Sequence, residues 1–141
     1  MATTRRARAE WRGPFSSGNG DISLDSSHIG PFRVAAAVGA EGPPGCTSPM
    51  ELLAAAYASC VCGTIAYMLE KAGHHPDELE TAAEVDMQPG EGVTGIRAVV
   101  SGVVPGVSPD DFAAIVTRAK DGCPVGRALT GTKVTLAVEL H

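Results

Sequence analysis

The stretch SPMELLAAAYASCVCGTIAYMLEKAG, residues 48–73, decides the architecture. Between Leu52 and Leu69 it carries no charged residue, a length that touches the lower limit of about 18 residues for a membrane span. Its composition points elsewhere. Ala, Ser, Cys, Gly and Thr dominate and large aliphatic side chains are few, so transfer into lipid would be only weakly favourable. The run therefore reads as a helix buried on most sides in the core of a soluble protein. Ser48 as N-cap, Pro49 at the first helical position and Glu51 forming a capping box mark its start. Lys71 and Gly73 mark its end.

Working outward, a second helix opens in the same way with Ser108, Pro109 and Asp111. Phe112, Ile115, Val116 and Ala119 then fall on one face. Cys123 and Pro124 read as the start of a short third helical turn reaching about Leu129. Around these helices the period changes to two. Ala83, Val85 and Met87 alternate with Glu84, Asp86 and Gln88, and Val134, Leu136, Val138 and Leu140 alternate with Lys133, Thr135, Ala137 and Glu139. Ile96 to Val104 is a further strand, preceded by a turn at Pro89, Gly90 and Gly92. Shorter strands are expected at Arg6 to Trp11, Asp21 to Asp25 and Phe32 to Val38. The order implies an α+β fold with mostly antiparallel sheets around a long buried central helix. There is no internal repeat, Walker loop or dinucleotide fingerprint, which argues against a nucleotide-binding α/β fold.

A chain of 141 residues is expected to form a single domain. Surface scaling gives about 6,800 Å2 folded against about 21,000 Å2 unfolded, enough burial for a core without disulfide staples. Hydrophobic residues at 44% and charged residues at 19% exclude a wholly disordered chain. With only one Trp, two Tyr and three Phe, the core must be built from Ala, Val, Leu and Ile, and burial against a second copy becomes advantageous. A net charge of −5 argues against a nucleic-acid groove or a basic membrane-binding face. Arg5, Arg6, Arg8 and Arg12 are the exception, and they read as the solvated face of a first strand. No apolar run follows them, so the expected location is the reducing cytoplasm.

Four cysteines, Cys46, Cys60, Cys62 and Cys123, are open to three readings: disulfides, zinc ligands or reactive thiols. Cys60 and Cys62 are separated by roughly 200° around a regular helix, so they face opposite sides. That disfavours a Cys-x-Cys metal site and makes Cys62 a packing residue. His28, His74, His75 and His141 match no standard zinc spacing with the cysteines. Burial in mid-helix would raise the Cys60 pKa, whereas a helix N-terminus would favour a thiolate at Cys123. By local position alone Cys123 is the more reactive thiol.

The segment from Cys46 through Thr47-Ser48-Pro49-Met50-Glu51 to Ala58-Ser59-Cys60 resembles the signature of the OsmC/Ohr family, the osmotically inducible and organic-hydroperoxide-resistance proteins. Ala119-Lys120-Asp121-Gly122-Cys123-Pro124-Val125 resembles the second half of that pattern, closer to the OsmC branch, while Tyr57 is more like the Ohr branch. Trp11-Arg12-Gly13 and the last strand match more loosely. The resemblance implies an intertwined homodimer that reduces organic hydroperoxides, with Cys60 as the peroxidatic thiolate and Cys123 as the resolving thiol. It implies an external thiol or lipoylated protein as reductant, and no metal or organic cofactor. It also implies an arginine, held by Glu51, that helps Cys60 ionise.

That arginine is where the chain departs from the pattern. The stretch Ala35 to Ala40, where the resemblance would place it, has none. Arg33 is the candidate, ahead of Arg12 and Arg127. The departure motivates an alternative expectation, a non-enzymatic protein of this fold binding an apolar ligand in a dimer groove.

Overall fold

The charge-free run forms one helix, α1 (Pro49–Lys71). The structure is a computed structural model describing residues 2–35 and 42–141, which fall into two compact units, Met1–Pro49 and Met50–His141.

In the first unit, β1 (Arg8–Arg12), β2 (Asn19–Leu24) and β3 (Ile29–Ala35) form an antiparallel meander in chain order. The expected third strand continued to Val38, and its last three positions lie outside the described residues. The arginine-rich start behaves as a solvated strand face. Arg8 pairs with Asp25 at 3.3 Å, and Arg12 pairs with Asp21 and with Glu10. After β3, the Thr47 N–H donates to the Arg33 carbonyl at 2.8 Å, tying the segment before α1 to that strand.

In the second unit, β4 (Glu78–Gln88) pairs antiparallel with β5 (Gly92–Val103), and β5 pairs parallel with β6 (Lys133–Leu140). The crossover between β5 and β6 holds α2 (Pro109–Gly122) and α3 (Pro124–Ala128). The α+β architecture is as read, with one parallel pair in an otherwise antiparallel set. Ser108 caps α2, its Oγ accepting the Asp111 N–H at 3.1 Å, with Pro109 in the first turn. At the start of α1, Ser48 and Glu51 are both engaged in polar or electrostatic interactions. Its far end closes on Gly73 with φ 84°, the left-handed conformation that glycine adopts at low cost.

The core of this unit joins Tyr57, Val61, Ile65 and Leu69 of α1 to Ile96, Ala98 and Val100 of β5 and to Phe112, Ile115, Val116 and Ala119 of α2. The α1 residues recur every fourth position, so the helix buries one stripe. Ala55, Ser59, Gly63 and Tyr67 are exposed in the single chain. This corrects the expectation of burial on most sides: the small side chains that make α1 apolar all round are not the ones that fill this core. By length and composition the helix is apolar enough to cross a membrane, with a mean hydropathy of 1.8 over its best window, yet Tyr57, Val61, Ile65 and Leu69 are fully buried in the core with residues of the sheet and α2. Gly102 of β5 lets α2 approach closely, since a Cβ there would stand 3.0 Å from both Phe112 Cζ and Leu79 Cδ2.

Candidate active site

Cys60 is half-buried in the fourth turn of α1. It opens on a shallow groove of about 510 Å3 lined by Gly63, Tyr67, Met68, Gly122 and Pro124 among others. Two residues on, Cys62 turns away, its Sγ lying 3.0 Å from Thr81 Oγ1 on β4. The angular argument from helix geometry is therefore met: the two thiols serve different faces.

Cys123 is fully buried at the junction of α2 and α3. Its N–H donates to the Ala119 carbonyl at 2.9 Å, closing α2, and its Sγ accepts the Gly126 N–H at 3.2 Å, opening α3. Glycine at 126 is required by space. A Cβ there would stand 2.9 Å from Cys123 Sγ and 2.8 Å from the Lys120 carbonyl oxygen.

The Cys60 and Cys123 thiols meet. The Cys123 pKa is raised, first by burial, while the Gly126 N–H opposes the rise; a thiol–thiol hydrogen bond with Cys60 and the charge on Cys60 add to it, and the Val125 N–H opposes it again. The expectation that the start of α3 makes Cys123 the readier thiolate is thus corrected. The backbone donors act in the expected direction, and burial outweighs them.

Tyr57, one turn before Cys60, is also fully buried, and its hydroxyl has no hydrogen-bond partner among the described residues. Its pKa is pushed up to about 12 by burial and then by the negative charges of Cys123, Asp121 and Cys60. The sign for stability follows from proton linkage. An unfolded tyrosine releases its proton near pH 10, whereas the folded chain holds it, so this contribution is complete below pH 10 and lost as pH rises toward 12. Urea midpoints between pH 9 and 12 should fall in wild type, and fall less in Tyr57→Phe.

The other anticipated residues are placed as follows. Glu51 lies in the first turn of α1, nine residues before Cys60, about 13.5 Å along the axis, and does not touch it. Arg33 lies on β3 opposite Asp21 of β2, in the first unit. Arg127 on α3 lines a separate cavity of about 590 Å3 with Tyr57, Lys120 and Asp121. Cys46 is half-buried in the loop before α1. Sequence reasoning assigned no role to Asp121 or Gly126. The available signal for Gly126 was its place three residues after a cysteine N-cap, where a backbone donor meets the cap side chain.

The family model for OsmC-like protein matches residues 42–139. This chain belongs to the OsmC family. It is 32% identical over 143 residues to Peroxiredoxin OsmC of Escherichia coli (strain K12) and equally to that of Shigella flexneri, covering 99% of this chain and 99% of each relative. Among solved structures of the OsmC fold, an OsmC-like protein from Vibrio cholerae superposes with a TM-score of 0.78 at 15% identity, covering 97% of this chain and 99% of the other. An organic hydroperoxide resistance protein OsmC from Legionella pneumophila gives 0.67 at 22%, covering 99% and 98%. OhrB of Bacillus subtilis, an organic hydroperoxide resistance protein, gives 0.64 at 24%, covering 96% and 98%.

Proposed function

We propose that this OsmC-family chain, a single domain acting as a homodimer, is a thiol peroxidase that reduces organic hydroperoxides to alcohols. The observation that carries the reading is the meeting of the Cys60 and Cys123 thiols across 63 residues of sequence. The peroxiredoxin and organic hydroperoxide resistance names of its relatives support the same chemistry. Cys60, the thiol that opens to a groove, is the nucleophile. Its thiolate attacks the distal peroxide oxygen, the O–O bond breaks, and the alkoxide leaves and takes up a proton. Cys60 sulfur is oxidised by two electrons to the sulfenic acid. The Cys123 thiolate then attacks that sulfur, the S–O bond breaks, water is released after protonation, and a disulfide remains. A small thiol or a lipoylated protein returns both cysteines to thiols. The apolar portion of the groove, formed by Gly63, Met68 and Pro124, suits an alkyl group beside the reacting oxygen. Arg33 is the proposed guanidinium that favours the Cys60 thiolate, oriented by Glu51.

Mixing reduced protein with one equivalent of cumene hydroperoxide should yield one equivalent of the tertiary alcohol. The protein should lose two hydrogens in mass, and peptide mapping should join Cys60 to Cys123. Peroxide left unconsumed would overturn the reading.

A further inference from the structure

The two thiols that interact across 63 residues of sequence differ in access. Cys60 is a wall of the groove of about 510 Å3, together with Gly122 and Pro124. Those two residues flank Cys123 in sequence, yet Cys123 itself has no exposed surface. The cavity of about 590 Å3 lined by Tyr57, Gly126 and Arg127 does not have Cys123 among its walls either. Cys123 belongs to the core cluster of the second unit, whereas Cys60 is a partly buried residue packed against that cluster. Gly126 stands directly against the buried sulfur, its N–H donating to Cys123 Sγ at 3.2 Å.

We propose that the external thiol that reduces the Cys60–Cys123 disulfide attacks Cys60 Sγ from the groove, and that Cys123 is the sulfur that leaves. This choice of sulfur rests on the proposed function, because it concerns the reductive half of that cycle. Access decides which sulfur of a disulfide a thiolate can reach, and a sulfur leaves faster when its departing charge is stabilised. Both conditions select the same direction here. Cys60 has the open groove. Cys123 has the Gly126 N–H already directed at its sulfur, and the Val125 N–H also favours its charged form. Burial works against that charge, and the two backbone donors offset part of the cost.

A dithiol completes the reduction in two displacements. In the first, its thiolate attacks Cys60 Sγ and a mixed disulfide bond forms. The Cys60–Cys123 bond breaks, and its electron pair goes to Cys123, which takes a proton from water. In the second, the other thiolate of the reductant attacks the reductant's own sulfur in the mixed disulfide, and Cys60 leaves as a thiolate. The two protein sulfurs gain two electrons, and the dithiol is oxidised to a cyclic disulfide. Cys60 is thereby released already deprotonated for the next peroxide. The groove has room for this nucleophile. Among the described residues a Cβ at Gly63 would meet nothing within 4 Å, and one at Gly122 would meet only Met68 Cε at 3.8 Å.

The test uses the wild-type chain oxidised with diamide, which forms the disulfide without any peroxide. The oxidised chain is mixed with 2-mercaptoethanol, a monothiol that has no second sulfur to displace Cys60. It is quenched in acid during the first turnover, and the freed thiols are alkylated with N-ethylmaleimide. Peptide mapping should find mercaptoethanol on Cys60 and maleimide on Cys123, in excess over the reverse labelling by about tenfold or more. Equal labelling overturns the proposal. Mercaptoethanol mainly on Cys123 also overturns it and places the entry at the cavity lined by Tyr57 and Arg127. Failure of diamide to join Cys60 to Cys123 overturns it as well. Cumene hydroperoxide left unconsumed by a chain whose diamide-formed disulfide opens at Cys60 would overturn the proposed function and uphold the direction of attack.

Discussion

Cys60→Ser is expected to lose hydroperoxide reduction by about a thousandfold or more, the scale seen when an enzyme's nucleophile is removed. Serine has almost no alkoxide at neutral pH and its oxygen forms no sulfenic acid, so neither half of the cycle can run. Cys62 and Cys123 are poor substitutes. Cys123 is fully buried with its pKa raised, and Cys62 faces Thr81 on the other side of α1. Initial rates with cumene hydroperoxide and dithiothreitol, with circular dichroism to establish folding, make the comparison. Cys62→Ser serves as the matched control and should retain turnover. An undiminished rate in Cys60→Ser would place the chemistry on another sulfur and remove the mechanism proposed for this chain.

Phe112→Ala should cost about 3–5 kcal/mol of folding stability. Phe112 is fully buried at the start of α2, with its ring end against the backbone of β5 at Gly102. Truncation leaves a void that the surroundings are ill placed to fill, because a strand backbone and a capped helix N-terminus cannot both move inward without breaking the sheet or the Ser108 cap. Few aromatic residues are present to share the load, and the total stability of a domain is only about 5–15 kcal/mol. The urea midpoint of the variant, taken with an unchanged m-value, reads the loss. A change below about 1 kcal/mol would mean that α2 is not anchored on the sheet through this ring.

The elements read most readily were those whose local chemistry and tertiary environment agree. The cap and the charge-free run located α1 because each names a helix independently. Alternation located β6 and the second half of β4. The first half of β4, Glu78 to Ala82, escaped notice because Leu79 is its only large apolar residue; pairing with the far end of β5, Glu78 opposite Val103, is what makes it a strand. The parallel direction of β6 was equally hidden, since alternation is identical for both directions and the crossover through α2 and α3 decides it. At the site, the opposed directions of Cys60 and Cys62 followed from helix geometry. The sign of the Cys123 pKa did not, because two backbone donors are visible in a Cys-Pro helix start while burial is a property of the whole fold. Tyr57 stands out in the sequence only through the family resemblance. An aromatic residue one turn from a cysteine looks like ordinary core, and that its hydroxyl lacks a partner among the described residues is visible only in three dimensions.

Two sulfurs close enough to interact while standing 63 residues apart would, once bonded, enclose β4, β5 and α2 in a single covalent ring. By chain-entropy reasoning such a ring restricts the unfolded state by about 4 kcal/mol. Each encounter with an oxidant would then leave the molecule temporarily harder to unfold and to digest, so that protection of the cell and self-protection of the protein would arise in the same event.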